Sequence, residues 1–267
     1  MMRTKVFLIF ALSCVLVSTA AYAQSSPYDA IKCTKVIDGD TITLENGETV
    51  RYAGIDTPEM SKRTKAGWVS DPQPFAPEAA ELNRKLTENK LVRLEFDAQK
   101  KDKYGRLLAY CFVGDTFVNA KLVEEGLAIL YTAPPNVKYA DLFVSLQKKA
   151  RENKKGIWHE EKTITTKEAN KYIGRIKTVE GKILAVNDSK KVIYLNFGKN
   201  YKTDFTAVIF KNDLSMFTKE GINPKKAYKD KCVRVTGLIK EYNGPEIIVR
   251  HPSAIEVMDN VYKCKGN

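Results

Sequence analysis

The sequence predicts a mainly β protein with helices (α+β), built as two small barrels in tandem, and three observations carry that prediction. Apolar runs of strand length recur through both halves, turn signals punctuate them, and a charged stretch without apolar periodicity, residues 161–171, stands between the halves. The 267 residues, 43% hydrophobic and 28% charged, suit one large globular unit or two small ones and exclude a wholly disordered chain.

The elements follow in order. In the first half Ile31 to Ile37, Thr41 to Leu44 and Thr49 to Ile55 read as strands. Asn46-Gly47 between the second and third is a strong hairpin signal, because both residues tolerate positive φ. Pro77 opens a helix with Glu78 in its first turn and an end near Asn89. Strands at Leu91 to Phe96 and Leu107 to Val113 flank the polar Lys100-Lys101-Asp102-Lys103 loop, and helices follow from Asn119 to Gly126 and from Tyr139 to Asn153. Five short strands with interposed helices predict an oligonucleotide/oligosaccharide-binding (OB) type of barrel. The second half shows strands at Ile173 to Val179, Lys182 to Val186, Val192 to Phe197, Phe205 to Phe210, Cys232 to Ile239 and Glu246 to Arg250, with a helical segment around Asp213 to Tyr228. This predicts a second OB-like barrel, related to the first by architecture only, since no residue-level repeat links the halves.

At the start, Arg3 and Lys5 precede the apolar run Val6 to Ala20 and the small-residue end Ala21-Tyr22-Ala23, the pattern of a cleaved secretory signal over 1–23. The expected product is exported, to the periplasm or beyond the cell, and monomeric. No later stretch reaches the roughly 20 apolar residues of a membrane span. Export permits disulfides, and Cys33, Cys111, Cys232 and Cys264 allow three pairings. Cys232 with Cys264 is favoured because both lie in the second half; Cys33 and Cys111 fall on strands of the first barrel, as buried thiols or as the matching bridge. With no C-x-x-C spacing and only His159 and His251, zinc sites and histidine-based catalysis lack their groups.

The candidate chemistry sits in three segments of the first half: Asp38-Gly39-Asp40, then Arg51 through Ile55-Asp56-Thr57-Pro58-Glu59, then Asp102-Lys103-Tyr104-Gly105-Arg106. Asp40, Asp56 and the Thr57 carbonyl offer the hard oxygens that Ca²⁺ takes. Arg51 and Arg106 offer planar, permanently charged forks that match phosphate oxygens. Each motif alone is what an ordinary turn, strand exit or solvated side chain looks like; their combination points to phosphoryl transfer.

From about Tyr28 to His159 the sequence resembles the staphylococcal (micrococcal) nuclease family. The resemblance rests on Val36-Ile37-Asp38-Gly39-Asp40-Thr41, Arg51 before Ile55-Asp56-Thr57-Pro58-Glu59, Ala76-Pro77-Glu78-Ala79, Asp102 through Tyr110, Gly126-Leu127-Ala128 and Gly156-Ile157-Trp158, in the family's order. It implies a five-stranded barrel over 28–160 that binds Ca²⁺ and cleaves DNA and RNA at the 5′ side of the phosphodiester. Asp40, Asp56 and the Thr57 carbonyl would hold the metal, Glu59 would handle the attacking water, and Arg51 and Arg106 would bind the phosphoryl group. Lys103 and Tyr104 match positions that touch the terminal phosphate, and Tyr131 matches the nucleotide pocket. The segment Met60 to Phe75 is longer than the family's usual loop.

The formal charge is +12, unevenly placed: residues 24–160 hold 21 basic and 20 acidic side chains, whereas residues 161–267 hold 21 and 12. The second barrel, 172–260 before a tail at 261–267, is therefore expected to assist in holding DNA or RNA. Against this stand an inactive barrel that only binds nucleic acid or protein, and a second barrel that anchors to the cell envelope.

Overall fold

Two barrels of the same strand order make up the fold, the first closed by strand pairing all the way round. The computed structural model describes residues 26–65, 67–159, 162–258 and 264, so the expected signal at 1–23 lies outside the described residues, as does all of the tail except Cys264. In the first barrel β1 (Ile31–Val36), β2 (Thr41–Leu44) and β3 (Thr49–Tyr52) form a meander. The Asn46-Gly47 turn closes the β2–β3 hairpin, with Gly47 at φ +82° and the Asn46 amide oxygen accepting from the Glu48 N–H at 3.0 Å. The expected third strand is split: Gly54 at φ +81° separates β3 from the short β4 (Ile55–Asp56). A Cβ on Gly54 would meet the Phe143 ring at 2.6 Å, so this break is also a close-packing point.

The long segment after Glu59 is not irregular. It folds as the hairpin β5 (Ser61–Thr64) and β6 (Gly67–Ser70) before α1 (Ala76–Thr87). Strands β7 (Leu91–Lys101) and β8 (Leu107–Val113) then close the barrel, β7 antiparallel to β1 and β8 parallel to β3, with β9 (Thr116–Phe117) at the edge. Helix α2 (Val118–Glu124), β10 (Ile129–Leu130) and α3 (Ala140–Glu152) complete this half. Its core buries Ile42, Val50, Tyr52, Ile55, Val92, Leu94, Tyr110 and Phe143, and the removal of this apolar surface from water is the main driving force for folding here.

The second half differs from expectation at its entrance. Residues 161–171, expected as a linker, contain β11 (Ile164–Thr165), which pairs parallel with β12 (Ile176–Lys182), and a 3₁₀ segment at Thr166–Tyr172. The Glu168 carboxylate accepts from the Thr165 N–H and hydroxyl, both at 2.8 Å, and Ile164 and Ala169 are buried in the second core. A capping box, not apolar periodicity, orders this stretch. Strands β12 and β13 (Ala185–Asp188) follow one another along one edge; β14 (Val192–Asn196) and β15 (Thr206–Phe210) complete a meander. The expected single helical segment is two helices, α4 (Leu214–Lys219) and α5 (Pro224–Ala227), because Gly221 at φ +69° and Pro224 interrupt it. Strand β16 (Cys232–Glu241) pairs with β12, with β17 (Pro245–Ile248) and with β18 (Ile255–Val257), while β17 runs parallel to β15.

Both barrels thus place a helix between the third and fourth strands and pair the third with the fifth in parallel. Cys232 and Cys264 form a disulfide, and Cys33 and Cys111 are free and buried. Among the described residues no helix is long and apolar enough to cross a membrane.

Candidate active site

The β1–β2 turn is built to present Asp40 inward. A Cβ on Gly39 would lie 2.7 Å from the Thr57 hydroxyl and 2.8 Å from Ala79, so only glycine lets the turn pack against both. Asp38 accepts from the Asp40 N–H at 3.0 Å, and the turn is tied to α1 by Asn83. The fully buried Asn83 donates its amide N–H to the Asp38 carbonyl at 2.9 Å and accepts from the Tyr52 hydroxyl at 2.8 Å. Asn119 does the same on the other side, accepting from the Cys111 N–H at 3.0 Å and donating to the Ala53 carbonyl at 2.9 Å.

Arg51, on β3, joins the two candidate metal-binding carboxylates. Its guanidinium lies 2.9 Å from Asp40 and 2.6 Å from Asp56, and it also donates to the carbonyls of Tyr52 and Ile55, each at 2.9 Å. Asp40 further accepts from the Thr57 N–H at 2.9 Å and the Thr57 hydroxyl at 3.0 Å. Burial works against the charge on Arg51, but Asp40, Asp56, Asp38 and Glu59 together hold its pKa above the ordinary value.

The carboxylates outnumber this one cation. Desolvation and then Asp40 push Asp38 up to about 6. Glu59 is pushed up to about 7, by desolvation first and then by Asp40, Asp56 and Asp38, with Arg51 opposing. Glu59 as a residue is exposed, so it is a rim carboxylate crowded by like charges and not an encased one. Burial also raises Asp56, with Arg51, Lys240 and Arg250 acting in the other direction. Two acidic side chains, a main-chain carbonyl and surplus negative charge are what a hard divalent cation offsets, so Asp40, Asp56 and Thr57 fit one chemically. Among the described residues no trio of His, Cys, Asp or Glu is arranged to hold an ion by side chains alone. An ion here would therefore need main-chain or water oxygens as well.

Arg106 enters from the β7–β8 loop. Asp102 accepts from its Nε at 2.8 Å and its N–H at 3.0 Å, and from the Tyr104 N–H at 2.8 Å; Gly105 turns at φ +84°. These bonds hold Asp102 below its ordinary pKa in spite of desolvation. Arg106, Tyr104, Glu59, Arg51, Asp40 and Trp68 line one cleft of about 620 Å³. Lys103 lies beside the Tyr104 ring, 5.0 Å from its centroid, and Tyr104 is exposed.

Asp56 faces a second, narrower recess between the barrels, together with Tyr131, Lys240 and Arg250, and neither Asp56 nor the expected nucleotide-pocket residue Tyr131 lines the first cleft. The β4–β10 ribbon pairs Ile129 with Asp56, and the Tyr131 N–H donates to the Gly54 carbonyl at 3.0 Å, which places Tyr131 at that edge. Sequence reading placed Asp102 in the third candidate segment without giving it a role, and did not single out Asn83, Trp68, Lys240 or Arg250 as site residues. Asp102 had a signal, an Asx turn before Gly105; Lys240 and Arg250 had none, since they come from the other barrel.

A family model described as "Staphylococcal nuclease homologue" matches residues 49–160, a span that takes in Arg51, Asp56, Thr57, Glu59, Arg106 and Tyr131. The thermonuclease of Staphylococcus intermedius is 43% identical over 127 residues, covering 46% of this chain and 73% of that protein. The chain belongs to the staphylococcal nuclease family. The thermonuclease of Staphylococcus hyicus is 41% identical over 130 residues, covering 48% of this chain and 74% of that protein. Endonuclease YncB of Bacillus subtilis (strain 168) is 40% identical over 141 residues, covering 51% of this chain and 64% of that protein. Within this staphylococcal nuclease family member the model match stops at residue 160, so Lys240 and Arg250 belong to a part of the chain that the family model leaves out.

Proposed function

We propose that this protein is an exported, Ca²⁺-dependent nuclease that hydrolyses phosphodiester bonds of DNA or RNA at the 5′ side, with the basic second barrel helping to hold the substrate. The observation that carries the reading is the clustering of Arg51, Arg106 and Glu59 on one cleft, with Arg51 bridging Asp40 and Asp56. In this reading Asp40, Asp56 and the Thr57 carbonyl hold Ca²⁺, which when bound supplies Lewis-acid stabilisation of the phosphoryl oxygens. Arg51 and Arg106 hold the equatorial oxygens, whose negative charge grows in the transition state. Glu59 orients the attacking water and takes its proton; its raised pKa suits it to that exchange. The oxygen on the 5′ side leaves with the bonding pair and is protonated by solvent. Trp68 and Tyr104 wall the same cleft and offer surfaces for bases. The secretory pattern at 1–23 and the Cys232–Cys264 disulfide support export.

The test is an assay of the mature protein on single-stranded DNA, duplex DNA and RNA, each with Ca²⁺ or with excess chelator. Cleavage with Ca²⁺ and none with chelator is expected. Full activity in chelator, or no cleavage of any substrate, would overturn the reading.

A further inference from the structure

The second barrel carries a groove in the place where the first carries its cleft. The first cleft is formed by the β1–β2 turn, strands β2 and β3, and the β7–β8 loop. In the second barrel the corresponding parts, residues 187–189, strands β14 and β15, and the β16–β17 turn, line a groove of about 330 Å³. Its floor follows the register: Asn196 pairs with Thr206 and Thr206 with Glu246, while Asn187 pairs with Tyr194. The Thr206 hydroxyl donates to the Asn196 amide oxygen at 3.4 Å.

Where the first cleft has Asp40, Arg51 and Arg106, this groove has tyrosines. Tyr201 is 58% exposed and Tyr242 70% exposed, and Tyr194 rises from the floor. Both loops that carry the outer tyrosines are braced. Asp204 accepts from the Asn200 N–H at 2.9 Å, and the Tyr242 N–H donates to the Gly244 carbonyl at 3.0 Å. A Cβ on Gly244 would lie 3.1 Å from the Thr203 backbone, so the two loops touch and hold Tyr201 and Tyr242 on one rim. Rigid, exposed aromatics are costly to leave in water and are the usual platform for flat ligands.

The charge around the groove selects the ligand. Lys190, Lys191, Lys199 and Lys202 lie within two residues in sequence of the lining residues Ser189 and Tyr201 and are exposed, and none of the four forms an ion pair with another described residue. Asp188 is already taken by Lys211 and Lys225. Glu246 is the remaining carboxylate on the floor, placed to accept from the exocyclic amines of bases. A neutral sugar chain gains nothing from four lysines; a phosphate backbone with bases on one side uses both features.

We infer that this groove is a subsite for single-stranded nucleic acid, which stacks bases on Tyr201, Tyr242 and Tyr194 while the lysines follow the backbone. It rests on the proposed function in taking the same substrate class, but it assigns the second barrel a base-stacking role that charge alone does not predict. With no arginine lining it and with Asp188 tied to Lys211 and Lys225, the groove binds and does not cleave.

The test uses the full mature chain in excess chelator and measures fluorescence anisotropy with a labelled thymidine 12-mer, an abasic 12-mer and a labelled N-acetylglucosamine hexamer. The Tyr201→Ala/Tyr242→Ala variant is expected to bind the thymidine 12-mer about tenfold more weakly or worse. Its binding of the abasic 12-mer should match wild type, and Tyr201→Phe/Tyr242→Phe should restore thymidine binding. Unchanged thymidine binding in the alanine variant, an equal loss on the abasic strand, or tyrosine-dependent binding of the hexamer alone would overturn the inference. A parallel cleavage assay with Ca²⁺ on a short substrate separates the two readings. Tyrosine-dependent binding without cleavage would leave the groove standing and remove the nuclease reading, whereas normal cleavage with tyrosine-independent binding would remove the groove alone.

Discussion

The Arg250 guanidinium lies over the Tyr131 ring, 4.3 Å from its centroid, so a side chain of the second barrel closes on the tyrosine at the Asp56 edge of the first. The same contact is fastened again by the Thr132 hydroxyl, which donates to the Arg250 carbonyl at 2.9 Å. Further out, Lys219 pairs with Asp141 at 2.8 Å. The site is therefore bounded on one side by the second barrel.

Arg250 also faces Asp213, which is 1% exposed, at 3.5 Å. Burial, opposed by Arg250, pushes Asp213 up to about 6. A carboxyl raised in the folded state contributes stability that is complete below its unfolded value, near 3.9, and is lost as pH rises through about 6. Arg250→Ala should therefore cost about 3 kcal/mol at pH 7.5, where Asp213 is left charged and unpaired, and clearly less at pH 5. Urea denaturation at the two pH values checks this. An equal cost at both would mean that Arg250 acts through Tyr131 and not through Asp213.

Asn83 links the helix to the Asp38–Asp40 turn, so under the proposed function its removal should be felt in both stability and rate. Asn83→Ala leaves the Asp38 carbonyl and the Tyr52 hydroxyl without their buried partner, and a loss of about 2–4 kcal/mol is expected. With the Asp38–Asp40 turn released, kcat should fall more than KM rises, because Asp40 is misplaced for the reacting phosphate and not only for binding. Denaturation together with steady-state kinetics checks both arms; a destabilised variant with unchanged kcat would show that the turn holds itself.

Truncation after Glu160 should weaken affinity more than the saturated rate, since Arg51, Arg106, Glu59 and the acidic pair all remain. For every phosphate that the second barrel no longer neutralises, the dependence of log affinity on log salt should flatten by about 0.9 for duplex and about 0.7 for single strands. Binding titrations at several salt concentrations, with circular dichroism to confirm folding, provide the check. Unchanged affinity and slope would favour an envelope or protein partner for the second barrel.

Much of this was legible in the residues, for identifiable reasons. Strands such as β2 and β8 announce themselves by local pattern, and the Asn46-Gly47 hairpin by backbone chemistry. The cleft could be assembled because Asp40 and Arg106 sit at turns set by neighbours in sequence, Arg51 lies on a locally patterned strand, and Glu59 follows in the same segment. What escaped was non-local or pattern-poor. Ile164 is ordered by a capping box and a parallel partner fifteen residues on, and the Met60 to Phe75 segment hides a hairpin behind charged residues. Lys240 and Arg250 reach Asp56 only once two barrels have docked, which no local pattern encodes. The separation of Tyr201 and Tyr242 by about forty residues likewise conceals that their loops touch.

The most direct test of the proposed catalytic cleft is the single-turnover cleavage rate of Glu59→Gln on saturating single-stranded DNA with Ca²⁺. The substitution keeps size and hydrogen bonding but removes the carboxylate that the proposed mechanism uses to accept the water's proton. The rate should fall by about 10²–10⁴ while the fold and substrate affinity persist. A folded Glu59→Gln protein that cleaves at close to the wild-type rate would contradict the proposed mechanism and place the chemistry elsewhere.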